Sequence, residues 1–247
     1  MLKVLRNKKI QKNIYLFLAL AIIPSFIIGG LFLSREDTAS ILGTIGPKKI
    51  STQQYLDSYK AVQHQAMLFY GPQFESLKSI INLKGEAWDR LLLLDYAKKE
   101  KIRTSDQEVI DWLSGQPLFT NRGQFDVRFY KQYVERSLRT STRNFEEEAR
   151  QILTIAKIRE NLRSRIHLTD EQLKELYVKE RVTPFDEKKY TEEKEPFRKK
   201  MSDEKTAKEM RALLEKLRGS LKVDVDTMKK IFGADEIEEA PVKKTAP

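Results

Sequence analysis

Twenty consecutive residues without a charge, Ile14 to Leu33 (IYLFLALAIIPSFIIGGLFL), constrain this chain more than any other stretch. At about 1.5 Å per residue, a helix of that length spans the roughly 30 Å hydrocarbon core of a bilayer. Pro24 kinks such a helix without forbidding it, and Gly29 and Gly30 are common residues there. Lys3, Arg6, Lys8, Lys9 and Lys12 precede the run with no acid among them, and Arg35, Glu36 and Asp37 follow it. The positive-inside rule then leaves residues 1–12 in the cytoplasm, 13–34 in the membrane and the rest across it. The alternative is a cleaved signal peptide, whose apolar region covers about 7–15 residues and ends in a small-x-small site. This run is longer and ends in Leu31, Phe32 and Leu33, although Thr38-Ala39-Ser40 offers a late site. Length and flanks favour a retained anchor, and favour it more strongly over a buried soluble-core helix.

Some 210 residues remain after the run, enough for one sizeable domain or two small ones. The formal charge of +10 would suit nucleic acid, but its distribution does not. Five of the 46 basic residues precede the run and all 36 acids follow it, so the remainder carries 41 basic against 36 acidic residues, or +5. Solvated helix faces and a topology signal account for that charge better than DNA binding does. The residual bias suits residence near an anionic membrane surface. Cysteine is absent, which excludes disulfides, cysteine-based zinc sites and thiol chemistry. The two histidines, His64 and His167, have no metal-ligand spacing and read as surface or helix-face residues. No GxxxxGK[ST] motif occurs, and no cofactor is expected.

The rest of the chain reads as mainly helical with about three short strands. Ile41–Ile45, a Gly46-Pro47 turn and Lys48–Ile50 form a hairpin. Ser51 or Thr52 caps a helix with Tyr55, Tyr59, Val62, Ala66 and Phe69 on its inner stripe, and Gly71-Pro72 stops it. A second segment from Phe74 to Leu83 breaks near Lys84-Gly85. Glu86 to Lys99 is apolar around much of its circumference and reads as the centre of the core. Ser105 or Thr104 with Glu108 makes a capping box before Val109 and Leu113, Gly115 ends that helix, and Asp126 caps the next. Asn144 caps a long helix to about Arg165, and Thr169-Asp170-Glu171 opens another. Pro184 and Pro196 bracket a hinge or boundary. Lys200–Gly219 is amphipathic, Val223 and Val225 alternate with aspartates as in a strand, and residues 233–247 have the composition of a disordered tail.

Residues 102–130 read IRTSDQEVIDWLSGQPLFTNRGQFDVRFY. Ile102, Ser105, Asp106, Glu108, Val109, Pro117, Phe119, Gly123, Phe125, Asp126 and Tyr130 follow a pattern that resembles the N-terminal chaperone module of the SurA and PpiD family. The hairpin before a capped helix, the LLLLDYAKKEKI helix, Phe145–Arg150 and Leu168–Glu171 agree in order, so the likeness extends over about Ile41 to Val182. The anchor makes the membrane-tethered PpiD-like branch the nearer match. PpiD-like proteins place a parvulin-type isomerase domain after this module. Here only about sixteen residues separate Glu180 from Pro196, with no parvulin-like histidine constellation. The resemblance therefore implies a chaperone module (38–182), closed by a helix and strand (183–232) and lacking the enzyme.

The expected protein is an ATP-independent chaperone on the periplasmic side of a bacterial inner membrane, with unfolded or nascent exported polypeptides as clients and the export channel as a further partner. A groove of this kind needs adaptable apolar surface. Met67, Phe69 and Tyr70 exceed one helix stripe, and Trp112, Phe119, Phe125, Phe129 and Tyr133 gather near one loop, so these eight are the candidate client-binding residues. Filling the core is the competing role for each. An isomerase-related folding enzyme and a scaffold with one fixed partner are the alternative functions.

Overall fold

The computed structural model describes residues 40–180 and 185–233. The apolar run at 14–33 and the tail after Gly233 lie outside them. Among the described residues no helix is long and apolar enough to cross a membrane. The compact unit that begins at Leu42 is mainly helical and carries a small antiparallel sheet.

Strands β1 (Ile41–Ile45) and β2 (Lys48–Ser51) form the expected hairpin, and Gly46 takes φ 57° in its turn. The closing strand β5 (Leu221–Val223) pairs antiparallel with β1, giving the order β2-β1-β5. This is the predicted return of the C-terminal strand to the hairpin. Gly43 is needed at the crossing: a Cβ there would lie 2.5 Å from the Lys222 carbonyl oxygen and 3.0 Å from the Trp88 ring. The strand ends two residues earlier than its alternation predicts. Asp224 accepts from the Thr227 N–H and caps a short helix, which runs Val225–Phe232 and buries Met228.

Two helices carry most of the core on that sheet. Helix α1 (Thr52–Tyr70) starts at Ser51 in a capping box with Gln54 and stops at Gly71, φ 52°. Its inner stripe ends at Ala66; Phe69, expected on that stripe, is 80% exposed. After a one-turn helix α2 (Phe74–Leu77), helix α3 (Leu83–Lys99) begins earlier than expected. Lys84-Gly85 is no break, because Asn82 accepts from the Gly85 N–H and glycine sits where a first-turn donor needs such a partner. Tyr55, Trp88 and Leu92 are almost fully buried between α1, α3 and the sheet, with the Tyr55 and Trp88 rings 4.8 Å apart. The Tyr55 hydroxyl donates to the Lys84 carbonyl and the Ser58 hydroxyl to the Ala87 carbonyl, fixing α1 on α3.

Helix α4 (Asp106–Ser114) opens with the predicted Ser105–Glu108 capping box. Lys157 lies 2.6 Å from Glu108, and its hydrogen bond, with those from the Ser105 N–H and hydroxyl, holds the Glu108 carboxyl down to about 2. A depressed carboxyl stabilises the fold above its ordinary value of 4.5, and that contribution disappears as the pH falls through about 2. Urea unfolding of wild type and Glu108→Gln should therefore differ by a constant amount above about pH 5 and converge near about pH 2. A gap that persists at acid pH would contradict this assignment.

A two-residue hairpin, β3 (Thr120–Asn121) with β4 (Gln124–Phe125), leads to Asp126, which caps α5 (Val127–Gln132) as expected. A π turn follows over Tyr133–Ser137. The long helix α6 (Thr142–Arg163) is capped by Ser141; the predicted cap, Asn144, is instead the residue whose N–H that serine accepts. Thr169 and Gln172 cap α7 (Asp170–Glu180) reciprocally, with Leu173 and Tyr177 buried. Helix α8 (Glu187–Arg218) contains Pro196, so the expected boundary there is not a break. Pro196 is exposed, where water can satisfy the backbone carbonyl it frees. Residues 181–184 lie outside the described residues. The final helix, α9 (Val225–Phe232), sets Phe232 against Tyr55 and Tyr59. Arg218 of α8 forms a two-pronged ion pair with Asp89 of α3, its Nε 2.8 Å from one carboxylate oxygen.

Candidate functional site

The eight predicted residues separate into surface and core. Trp112, Phe125 and Tyr133 are half-buried around Phe119, which has no exposed surface. Tyr130, Tyr133 and Phe145 meet the Phe119 ring edge-on, with centroids 5.1, 5.9 and 6.2 Å away. Phe119 thus cannot present surface to a client; it is the centre of a second core. Phe129 is 44% exposed and stacks on Tyr133 at 6.2 Å. Met67 packs against both cores, and Tyr70 against the one on the sheet. Phe69 projects beyond them, touched on its side by the Tyr70 ring at 4.9 Å. No ring contact among the described residues joins Phe69 to Phe129, although Met67 and Leu68 at the end of α1 pack against the Phe119 cluster.

A separate concavity lies elsewhere. A groove of about 1020 Å³ opens between α1 on one side and the π turn with the start of α6 on the other. Ile50, Ala61, Leu91, Leu94 and Leu138 supply its apolar surface, and Gln54, Ser58, Gln63, Thr140, Asn144 and Gln151 its amides and hydroxyls. None of the eight predicted residues lines it. Its charged lining is nearly balanced: Lys48, Lys60 and Arg139 against Asp57, Glu135, Glu147 and Glu148. Such balance suits neither a phosphate backbone nor a single anion. Among the described residues no group of acids and histidines could hold a metal ion.

One wall is built irregularly. The Leu138 N–H reaches back to the Tyr133 carbonyl at 3.1 Å and the Thr140 N–H to the Val134 carbonyl at 3.2 Å, and Arg139 sits at φ 53°. Buried Val134 and Leu138 turn this segment toward Phe119. The predicted aromatic cluster therefore backs the groove wall instead of lining the groove. π turns accumulate at functional sites because they offset side chains from the regular helix face.

The polar interior was not expected. His64, read as a surface or helix-face residue, lies on the inner face of α1 at 8% exposed, and its Nδ1 lies 2.8 Å from the Glu148 carboxylate. Beneath them Arg90 of α3 is buried, donating through Nη2 to the Glu148 carbonyl at 3.3 Å and to Gln151 Oε1 at 3.0 Å. Its Nε and Nη1 have no hydrogen-bond partner among the described residues. Desolvation lowers the Arg90 guanidinium to about 10, against the opposing pull of Glu148 and Glu147. On paper His64 and Glu148, 84 residues apart, and Gln151 look like ordinary polar positions on two helices; nothing in their local pattern joins them.

With this geometry in place, the relationship to known proteins is direct. Residues 1–159 match the family described as SurA-like N-terminal domain, and the chain belongs to that family. No curated protein and no solved structure matches the chain.

Proposed function

We propose that this protein is an ATP-independent chaperone that holds extended, unfolded polypeptides in the groove between α1 and the π turn. The carrying observation is the groove itself: about 1020 Å³ of mixed apolar and amide-rich lining with balanced charge, in a SurA-like N-terminal domain. Amide and hydroxyl side chains can pair with the main chain of any sequence, and aliphatic side chains accept its apolar residues without demanding one shape. Exposed Phe69 and Phe129 offer further adaptable contacts outside the groove. Residues 14–33 are proposed to anchor the protein in the bacterial inner membrane with the helical domain in the periplasm, where exported chains would be its clients and the export channel a neighbour. We also propose that it has no isomerase activity of its own.

The test uses the full chain in lipid nanodiscs with a reduced, alkylated model protein as client. Suppressed client aggregation without added nucleotide, and no acceleration of prolyl isomerisation by the same sample, is the expected outcome. Phe69→Ser with Phe129→Ser should leave unfolding within about 0.5 kcal/mol of wild type, since neither ring fills a core. Client affinity should fall about tenfold, as for loss of well-placed aromatic contacts. Undiminished aggregation would refute the holding function, and proline turnover would refute the absence of an isomerase.

A further inference from the structure

Helices α1 and α6 face each other across the groove, yet they make little direct contact; each rests on α3. The 2.8 Å bond from His64 to Glu148 joins them, and both residues line the groove. Its two ends are only 10% and 16% exposed, so the bond is shielded from water and from screening. Directly below, Arg90 already grips the Glu148 carbonyl and keeps two nitrogens, Nε and Nη1, without partners among the described residues. A buried guanidinium in that condition is costly, and a carboxylate is the partner its geometry suits best. Glu148 exerts the largest opposing charge on it. The Glu148 side chain thus has two competing partners: His64 across the groove and Arg90 buried beneath it.

We infer that His64 and Glu148 form a clasp that holds the groove narrow, and that an entering polypeptide opens it by releasing Glu148 to Arg90. This rests on the reading of the groove as the polypeptide site. In the closed arrangement the clasp ties α1 to α6. In the open one α6 keeps its packing on α3, α4 and α8 but loses its bond to α1, and α1 stays seated through Ser58 and Tyr55. The compliant side is then the wall that contains the π turn and Arg139, where the backbone already departs from regular helix. Discrete exchange of partners by one side chain is enough to give two stable widths.

The chain has no cysteine, so Lys60→Cys with Asn144→Cys places one spin label on each exposed wall. Pulsed EPR on the full labelled chain in nanodiscs reads the width directly, with the reduced, alkylated model protein as probe. Expected are a longer inter-label distance on adding the probe, and the same longer distance in His64→Ala without it. With the clasp already open, the probe should bind about tenfold more tightly, because an occupant no longer has to break a charged hydrogen bond. Glu148→Gln, which keeps the shape and removes the charge, should shift the distance in the same direction, and Arg90→Gln should oppose opening. An unchanged distance in both His64→Ala and Glu148→Gln, with the fold intact by circular dichroism, overturns the clasp. A distance that responds to His64→Ala in a protein that binds no probe refutes the polypeptide reading and the opening by polypeptide, and leaves only the bond between the walls.

Discussion

Ending the chain after Gly219 should abolish cooperative folding of the domain. The deletion removes β5 and α9, and with them the pairing of Gly43 with Val223 and the bonds from the Gly46 N–H to the Ser220 carbonyl and the Asp224 N–H to the Leu42 carbonyl. Met228, 1% exposed, contributes about 2–3 kcal/mol by burial. Leu221, Val223, Ile231 and Phe232 pack half-buried on the same core and together contribute at least as much again. The sum is comparable to the whole stability of a typical domain, about 5–15 kcal/mol. Its loss would also uncover Leu42, Tyr55 and Trp88 and leave β1 with an open edge. Urea unfolding followed by tryptophan fluorescence checks this. A truncated chain that keeps a sharp transition within about 1 kcal/mol of wild type would show that α1 and α3 sustain the core unaided.

The second large effect is at Phe119. Phe119→Ala should cost about 3–5 kcal/mol, because the ring is fully buried and three aromatic neighbours close on it edge-first. The same change at Phe129, ten residues on and 44% exposed, should cost less than about 1 kcal/mol. The contrast separates two residues that look alike in sequence. Phe119→Ala should also weaken client binding at temperatures where the protein remains folded, since Val134 and Leu138 press the groove wall against that cluster. Equal destabilisation by the two substitutions would contradict the packing described here.

Local chemistry made much of the fold legible. Ser51, Ser105, Asp126 and Thr169 each sit where a short oxygen-bearing side chain can take an orphan N–H, and each begins a helix as expected. Rules of the same kind misplaced other boundaries. Ser141 and Asn144 are both good caps, and only the packing of Phe145 and Ala149 decides between them. Pro196 breaks no helix because its face is wet, and Val225 continues no strand because Asp224 captures the next turn. The groove was illegible for a different reason. Most of its lining is polar residues that each look like solvent-facing helix positions, whereas adaptable apolar surface points first to aromatics, most of which serve the core. Only the meeting of α1, α3 and α6 distinguishes His64 and Glu148 from their neighbours. The proposed anchor lies outside the described residues and rests on its composition.

The sheet order has a consequence in time. β1 finds one neighbour within a few residues and the other about 180 residues later. At a synthesis rate of about 5–20 residues per second, that gap lasts on the order of ten to forty seconds. Throughout it the nascent domain carries a bare strand and uncovered rings, and is itself the kind of unfinished chain that it is proposed to shelter.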